Sequence, residues 1–186
     1  MRLFTSALLV AGTLAATALT LAPAGASAEG APAEGGPAEG GPNGANAGAA
    51  SPIYGVTIPE GYRAWQLVAP AQEAAPLDEL RAIVGNTTAI KAYQAGTLPF
   101  PDGTVLVKLA WKHTQSPEFA TASVPGAATT VQIMVKDSKR YAATGGWGFG
   151  RFVNGKPADQ AQHETCWGCH QALVADRDYV FTRYAP

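Results

Sequence analysis

Near the end of the chain two thiols and an imidazole stand within five residues, Cys166-Trp167-Gly168-Cys169-His170. Such groups bond metals, form disulfides or add to activated carbon, so this segment is where chemistry is first expected. The C-x-x-C-H spacing has a specific reading. On a helix the two thiols project about one turn apart, matching the two vinyl groups along one edge of a porphyrin. The next side chain then swings under the ring, where a neutral imidazole nitrogen reaches iron. The expectation is one covalently bound haem c per chain, attached at Cys166 and Cys169, with His170 as the metal ligand.

Three other chemistries compete for the motif. A redox disulfide of the thioredoxin type sits early in a chain, after a strand in a βαβ unit. A zinc site would draw on His163, Cys166, Cys169 and His170, but adjacent Cys169 and His170 would have to grip one ion tetrahedrally. A structural disulfide across two residues would be strained. Only sixteen residues follow His170, so a sixth iron ligand must come from upstream. Met134 falls in a predicted strand and reads as core, and His113 ends a strand beside Lys112. His163 lies about two helical turns before His170 and so projects from the same side of the ring. An open sixth position is expected, which suits a small-molecule ligand better than electron transfer alone.

The elements that must position this motif read as α+β. Strand-like alternation or β-branched enrichment marks Tyr62 to Val68, Leu80 to Val84, Thr104 to His113, Thr129 to Lys136 and Trp147 to Val153. Turn signals such as Pro101-Asp102-Gly103 and Asn154-Gly155 separate some of them. Helix is expected over Thr88 to Ala95, with Gly96 as its stop, and briefly over Ser138 to Ala143. A C-terminal haem-attachment helix should run from near Asp159 to about Ala175. Roughly five antiparallel strands with short helices result.

What precedes this domain differs in kind. Residues 1–28 have a basic start, an apolar middle and the exit Ala26-Ser27-Ala28, the pattern of a cleaved secretory signal. Its apolar run approaches a membrane-spanning length, which leaves an uncleaved anchor as the alternative. Residues 29–52 repeat a unit beginning at Glu29, Glu34 and Glu39, and are too rich in Gly and Pro to bury a core. They read as a tether. Residues 53–186 form the single domain. With Arg2 and the three tether glutamates set aside, thirteen basic and fourteen acidic residues become twelve and eleven. That balance gives no nucleic-acid footprint. The chain is expected to be exported, to the periplasm or outer cell envelope.

Several stretches in order resemble the cytochrome P-460 family, which includes the cytochromes c-prime-beta. They run from Pro59-Glu60-Gly61-Tyr62-Arg63 through Glu79-Leu80-Arg81, Pro101 to Lys108 and Val135 to Tyr141. Gly146-Trp147, the cysteine motif and Tyr179 to Tyr184 complete the match. The resemblance implies a five-stranded antiparallel sheet, a five-coordinate haem and a homodimer. It also implies a lysine bonded to a meso carbon of the porphyrin, at the position of Lys108, in enzymes that oxidise hydroxylamine. Arg81 takes the place of an arginine that points into the distal pocket.

Read as residues, Leu106, Lys108 and Ala110 share one strand face. Two readings follow: a desolvated, partly neutral amine suited to bonding, or an edge-strand lysine that keeps its charge in water. The resemblance favours the first. Arg81 either meets a haem propionate, pairs with a neighbour such as Glu79, or steadies a bound nitrogen oxide. Phe100 caps the pocket or joins the core. Oxidation of hydroxylamine also needs a proton acceptor. Glu164, two residues before Cys166, is nearest in sequence, with a purely electrostatic role at the helix start as its alternative. The expected partners are hydroxylamine or nitric oxide and an external redox protein such as a soluble cytochrome. The alternatives are a nitric oxide-binding protein without the lysine bond and a periplasmic electron carrier.

Overall fold

The computed structural model describes residues 48–185. The signal segment and most of the tether lie outside the described residues. The described part is an antiparallel meander of six strands in chain order. They are β1 Gln66–Glu73, β2 Glu79–Gly85, β3 Val105–Gln115, β4 Ser123–Lys136, β5 Trp147–Val153 and β6 Lys156–Pro157. Helix α1, Thr87–Ala95, follows β2, and α2, Gln160–Val174, carries the cysteine motif. The α+β expectation holds, with one strand more than the five read from sequence.

Local chemistry explains most boundaries. Asn86 caps α1 by accepting from Ala89 N at 3.0 Å, and Gly96 ends it with φ 63. Asp159 caps α2 by accepting from Gln162 N at 2.9 Å. Asn154 and Gly155 take φ 50 and 76, the paired left-handed geometry of a tight hairpin between β5 and β6. The turn was visible in sequence. The two-residue strand after it was too short to show a period. Three other expectations shift, the first being the short helix over Ser138 to Ala143, which is a turn followed by a 3-10 helix over Ala142–Thr144. Tyr62–Ala64 is a 3-10 turn, and the strand begins at Gln66 and continues to Glu73. Strand β4 starts six residues before Thr129, where Pro125 and Gly126 broke the sequence pattern but pairing with the bulged end of β3 carries the ladder on.

Register sorts the sheet into two faces. Val107 lies opposite Val84 and Ile133, and Val131 opposite Phe152. Val107, Ile133 and Phe152 are all but fully buried, and side chains of this kind contribute about 1.5–3 kcal/mol each. On the other face Lys108 lies opposite Ile83 and Gln132, Leu106 opposite Met134, and Met134 opposite Phe149.

His163 ties α2 to β5 through backbone hydrogen bonds. His163 is fully buried, its Nε2 accepts from Arg151 N at 3.0 Å, and its Nδ1–H donates to Asp159 O at 2.8 Å. Arg151 O accepts from Ala158 N at 2.8 Å, so the outer edge of β5 is closed at this point. The chain beyond α2 returns across the molecule and ends with Ala185 N donating to Val68 O of β1 at 2.9 Å. Ser51, inside the segment read as tether, is buried and donates through Oγ to Phe149 O at 2.9 Å. Among the described residues no helix is long and apolar enough to cross a membrane.

Candidate functional site

Between the second sheet face, α2 and the returning C-terminal segment lies a cavity of about 700 Å³. That is within the range of clefts that hold cofactors, roughly 300–1,000 Å³. Cys166, Cys169 and His170 line it from α2, Lys108 from β3, and Arg81 and Glu79 from β2. These positions are separated by up to 91 places in the chain and meet only through strand register and the docking of one helix.

His170 is oriented by a backbone carbonyl. Its Nδ1–H donates to Tyr179 O at 2.7 Å, which fixes the tautomer and leaves the Nε2 lone pair free. Burial lowers the imidazole's pKa and so favours the neutral form. The rings of Phe149 and Phe181 approach His170 with centroids 4.9 Å away, tilted and edge-on respectively. Burial raises the pKa of the Cys166 thiol, while Cys169 is exposed.

Lys108 is half-buried beside these groups. Burial first, and then the charge of Arg81, pushes its ammonium down to about 8. Roughly a tenth would be uncharged at pH 7, against about one in a few thousand for an ordinary lysine. Among the described residues Lys108 forms no ion pair.

Arg81 is held in place. Its Nε and Nη2 donate to Glu79 Oε2 at 3.0 and 2.7 Å, and its Nη1 pairs with Glu73. Thr129 Oγ1 donates to the other Glu79 oxygen at 2.6 Å. Glu79, whose side chain is 7% exposed, is the buried carboxylate of the cavity wall. In sequence it stands as a neighbour of Arg81 within the Glu79-Leu80-Arg81 stretch. The signal that points to it is alternation in β2, which puts Glu79, Arg81 and Ile83 on one face. Glu164 is placed elsewhere. It is exposed, accepts from Gln160 Nε2 at 2.9 Å and is not part of the cavity lining. A side chain two residues before Cys166 points away from the face that Cys166 presents.

The candidate sixth ligands divide sharply. Both nitrogens of His163 are engaged with backbone, so it can serve neither iron nor zinc. His113 Nε2 lies 2.5 Å from Asp78 Oδ1, well along β3. Met134, read as core, lines the cavity. Phe100 belongs to the core, packed edge-on against Tyr93 and Trp147.

The residues present fit a haem. Two thiols and a free imidazole nitrogen stand on one helix, and Leu77, Leu106, Phe149, Leu173 and Phe181 supply apolar walls for a flat ring. Arg151 lines the cavity with a buried Nε that has no hydrogen-bond partner among the described residues, a donor suited to a carboxylate. Among the described residues no group of three His, Cys, Asp or Glu converges as a metal cage of the zinc type.

Two comparisons complete the description. The family model described as Cytochrome P460 matches residues 59–182. No curated protein matches the chain.

Proposed function

The chain belongs to the cytochrome P460 family, and from that premise we propose an exported, homodimeric mono-haem c oxidoreductase that oxidises hydroxylamine. One observation carries this reading: a lysine with its ammonium pushed down to about 8 lines the same cavity as Cys166, Cys169 and His170. Cys166 and Cys169 would hold the haem through thioether bonds, His170 Nε2 would ligate its iron, and Lys108 would bond to the ring. When bound, the haem supplies an iron site that takes substrate and accepts its electrons, which pass on to an external acceptor such as a soluble cytochrome.

The chain's own residues divide the remaining work. Tyr179 O keeps the proton of His170 on Nδ1. The Lys108 amine, neutral in part, is nucleophilic enough to bond carbon, which an ordinary charged lysine is not; replacing a ring C–H by C–N would also release two protons and two electrons, the electrons passing to the external acceptor. Arg81 is pinned by Glu73 and Glu79 and presents fixed positive charge to a polar nitrogen ligand. Protons leave hydroxylamine together with electrons. Glu79, already in the wall, replaces Glu164 as the carboxylate placed to receive them.

A mass spectrum of the haem peptides tests the reading. The expected result is a peptide containing Lys108 joined to the Cys166–His170 peptide through one porphyrin. Lys108→Ala should then keep its haem and lose hydroxylamine turnover. Free Lys108 in fully haem-loaded protein would overturn the lysine-bonded enzyme.

A second reading is favoured by the state of the carboxylates. Glu79 and Glu73 both bind Arg81, and Glu79 also takes a proton donor from Thr129. Both Glu79 oxygens are thus already taken by donors. Binding nitric oxide needs no base, so free Lys108 together with tight nitric oxide binding would establish a cytochrome c-prime-beta-like role.

A further inference from the structure

The hydrogen bond from His170 to Tyr179 O depends on an unusual piece of backbone. Asp178 and Tyr179 both have left-handed conformations, φ 50 and 63. Single asparagine or aspartate residues visit this region, but an aromatic residue there needs support from its surroundings.

Support comes from a buried ion pair. Lys136 Nζ lies 2.7 and 2.9 Å from the two oxygens of Asp178, with side chains 6% and 8% exposed. Phe100 N donates to Asp178 Oδ2 at 2.8 Å, so both partners are fully engaged. Lys136 also donates to Gly145 O at 3.0 Å and sits 5.0 Å from the Trp147 ring centroid. Gly145 in turn forms the bed of the Tyr179 ring, since a Cβ there would fall 2.2 Å from it. Trp167, inside the cysteine motif, packs against the Tyr179 ring with centroids 4.7 Å apart. Tyr179 N donates to Val174 O at 2.9 Å. The peptide between Asp178 and Tyr179 is therefore held from β4, from the β4–β5 turn and from α2 at once.

Neither Lys136 nor Asp178 lines the cavity. Buried ion pairs are seldom the most stabilising choice for a core, because desolvation offsets much of their attraction. They are directional, however, and this one anchors the residue just before Tyr179, whose carbonyl faces the ligand histidine. We propose that the Lys136–Asp178 pair is a positioning device for His170, holding the left-handed turn so that Tyr179 O polarises the imidazole and sets its donation to the haem iron. The proposal rests on His170 being the haem ligand. Second-sphere hydrogen bonds of this type raise ligand basicity and tune a metal's potential.

The test uses the haem-loaded full chain. Asp178→Asn keeps a residue that tolerates the left-handed region and still accepts from Phe100 N, but removes the charge. Lys136→Met removes the cation and the bond to Gly145. In both, the ferrous iron–histidine stretching band should move to lower frequency and the midpoint potential should become more positive, further in Lys136→Met. Ser138→Ala is the control. It loses the 2.7 Å bond to Asp102 in the neighbouring turn and leaves the pair intact, so it should lower melting temperature without moving the band. If Lys136→Met does not fold, Asp178→Asn decides. A band and potential unchanged from the native chain in either folded, haem-loaded variant would overturn the proposal and leave the pair a structural staple. A native spectrum with no iron–histidine band would overturn the functional reading, and the proposal with it.

Discussion

The two polar walls of the cavity are built on opposite plans. On the α2 side, Cys166, Cys169 and His170 come from one helix, and their spacing follows from a single helical turn. His170 draws its proton acceptor from a rigid neighbouring segment. On the sheet side, Glu73, Glu79, Arg81 and Lys108 line the cavity from three strands by register, and Thr129 of a fourth holds Glu79. There the acids and Arg81 satisfy one another, while Lys108 is left in a half-buried position without an ionic partner among the described residues. The contrast teaches that the helical wall, the proposed covalent and coordinating surface, is defined locally. The sheet wall is an electrostatic surface whose properties depend on every strand being in place.

The largest effect that would separate the walls is loss of the cofactor. Cys166→Ala with Cys169→Ala should abolish the haem band that survives denaturation on a stained gel, whereas no sheet-wall variant should. Haem retained covalently in the double variant would break the division of labour.

Arg81→Ala should be next in size. It leaves Glu79 buried without its cation, and breaking such a pair costs about 3–5 kcal/mol. Urea unfolding measures this. Replacing Arg81 and Glu79 together by leucine should recover much of the loss, which would show that the penalty belongs to the abandoned charge.

Lys108 yields a prediction with a definite pH sign. Its folded pKa of about 8 lies below the unfolded value of 10.5, so the unfolded chain binds more protons between those limits. Stability of the haem-free Cys→Ala double variant should therefore rise with pH across that window, as the buried ammonium's penalty is relieved. Adding Lys108→Met should stabilise that chain at pH 7, with the advantage shrinking as pH passes from 8 towards 10.5. An advantage that is constant with pH would mean that Lys108 keeps its charge in water.

Thr129→Val should have the smallest effect, about 1–3 kcal/mol, by removing the hydroxyl that donates to Glu79. If the sheet wall acts as one unit, this loss should largely vanish in an Arg81→Ala background. Full additivity of the two variants would show that Arg81 and Thr129 hold Glu79 independently.

By itself the sequence determined what depends on neighbours within a turn or a strand. The helix bearing Cys166 to His170, its start at Asp159, the stop at Gly96, the Asn154-Gly155 turn and the face shared by Leu106, Lys108 and Ala110 all follow from local periodicity and backbone preference. The family too was legible, because its short matching stretches keep their order around the motif. Tertiary structure decided what depends on distance across the fold. It put Glu79 and not Glu164 in the cavity, since strand pairing brings β2 to the site while the helix turns Glu164 outward. It also withdrew His163 from any metal role, because both its nitrogens close gaps in backbone pairing that no local pattern reveals. The buried Lys136–Asp178 pair joins residues 42 positions apart. A charge at either place reads in sequence as ordinary surface, and only the packing around it removes the water that would otherwise make it so.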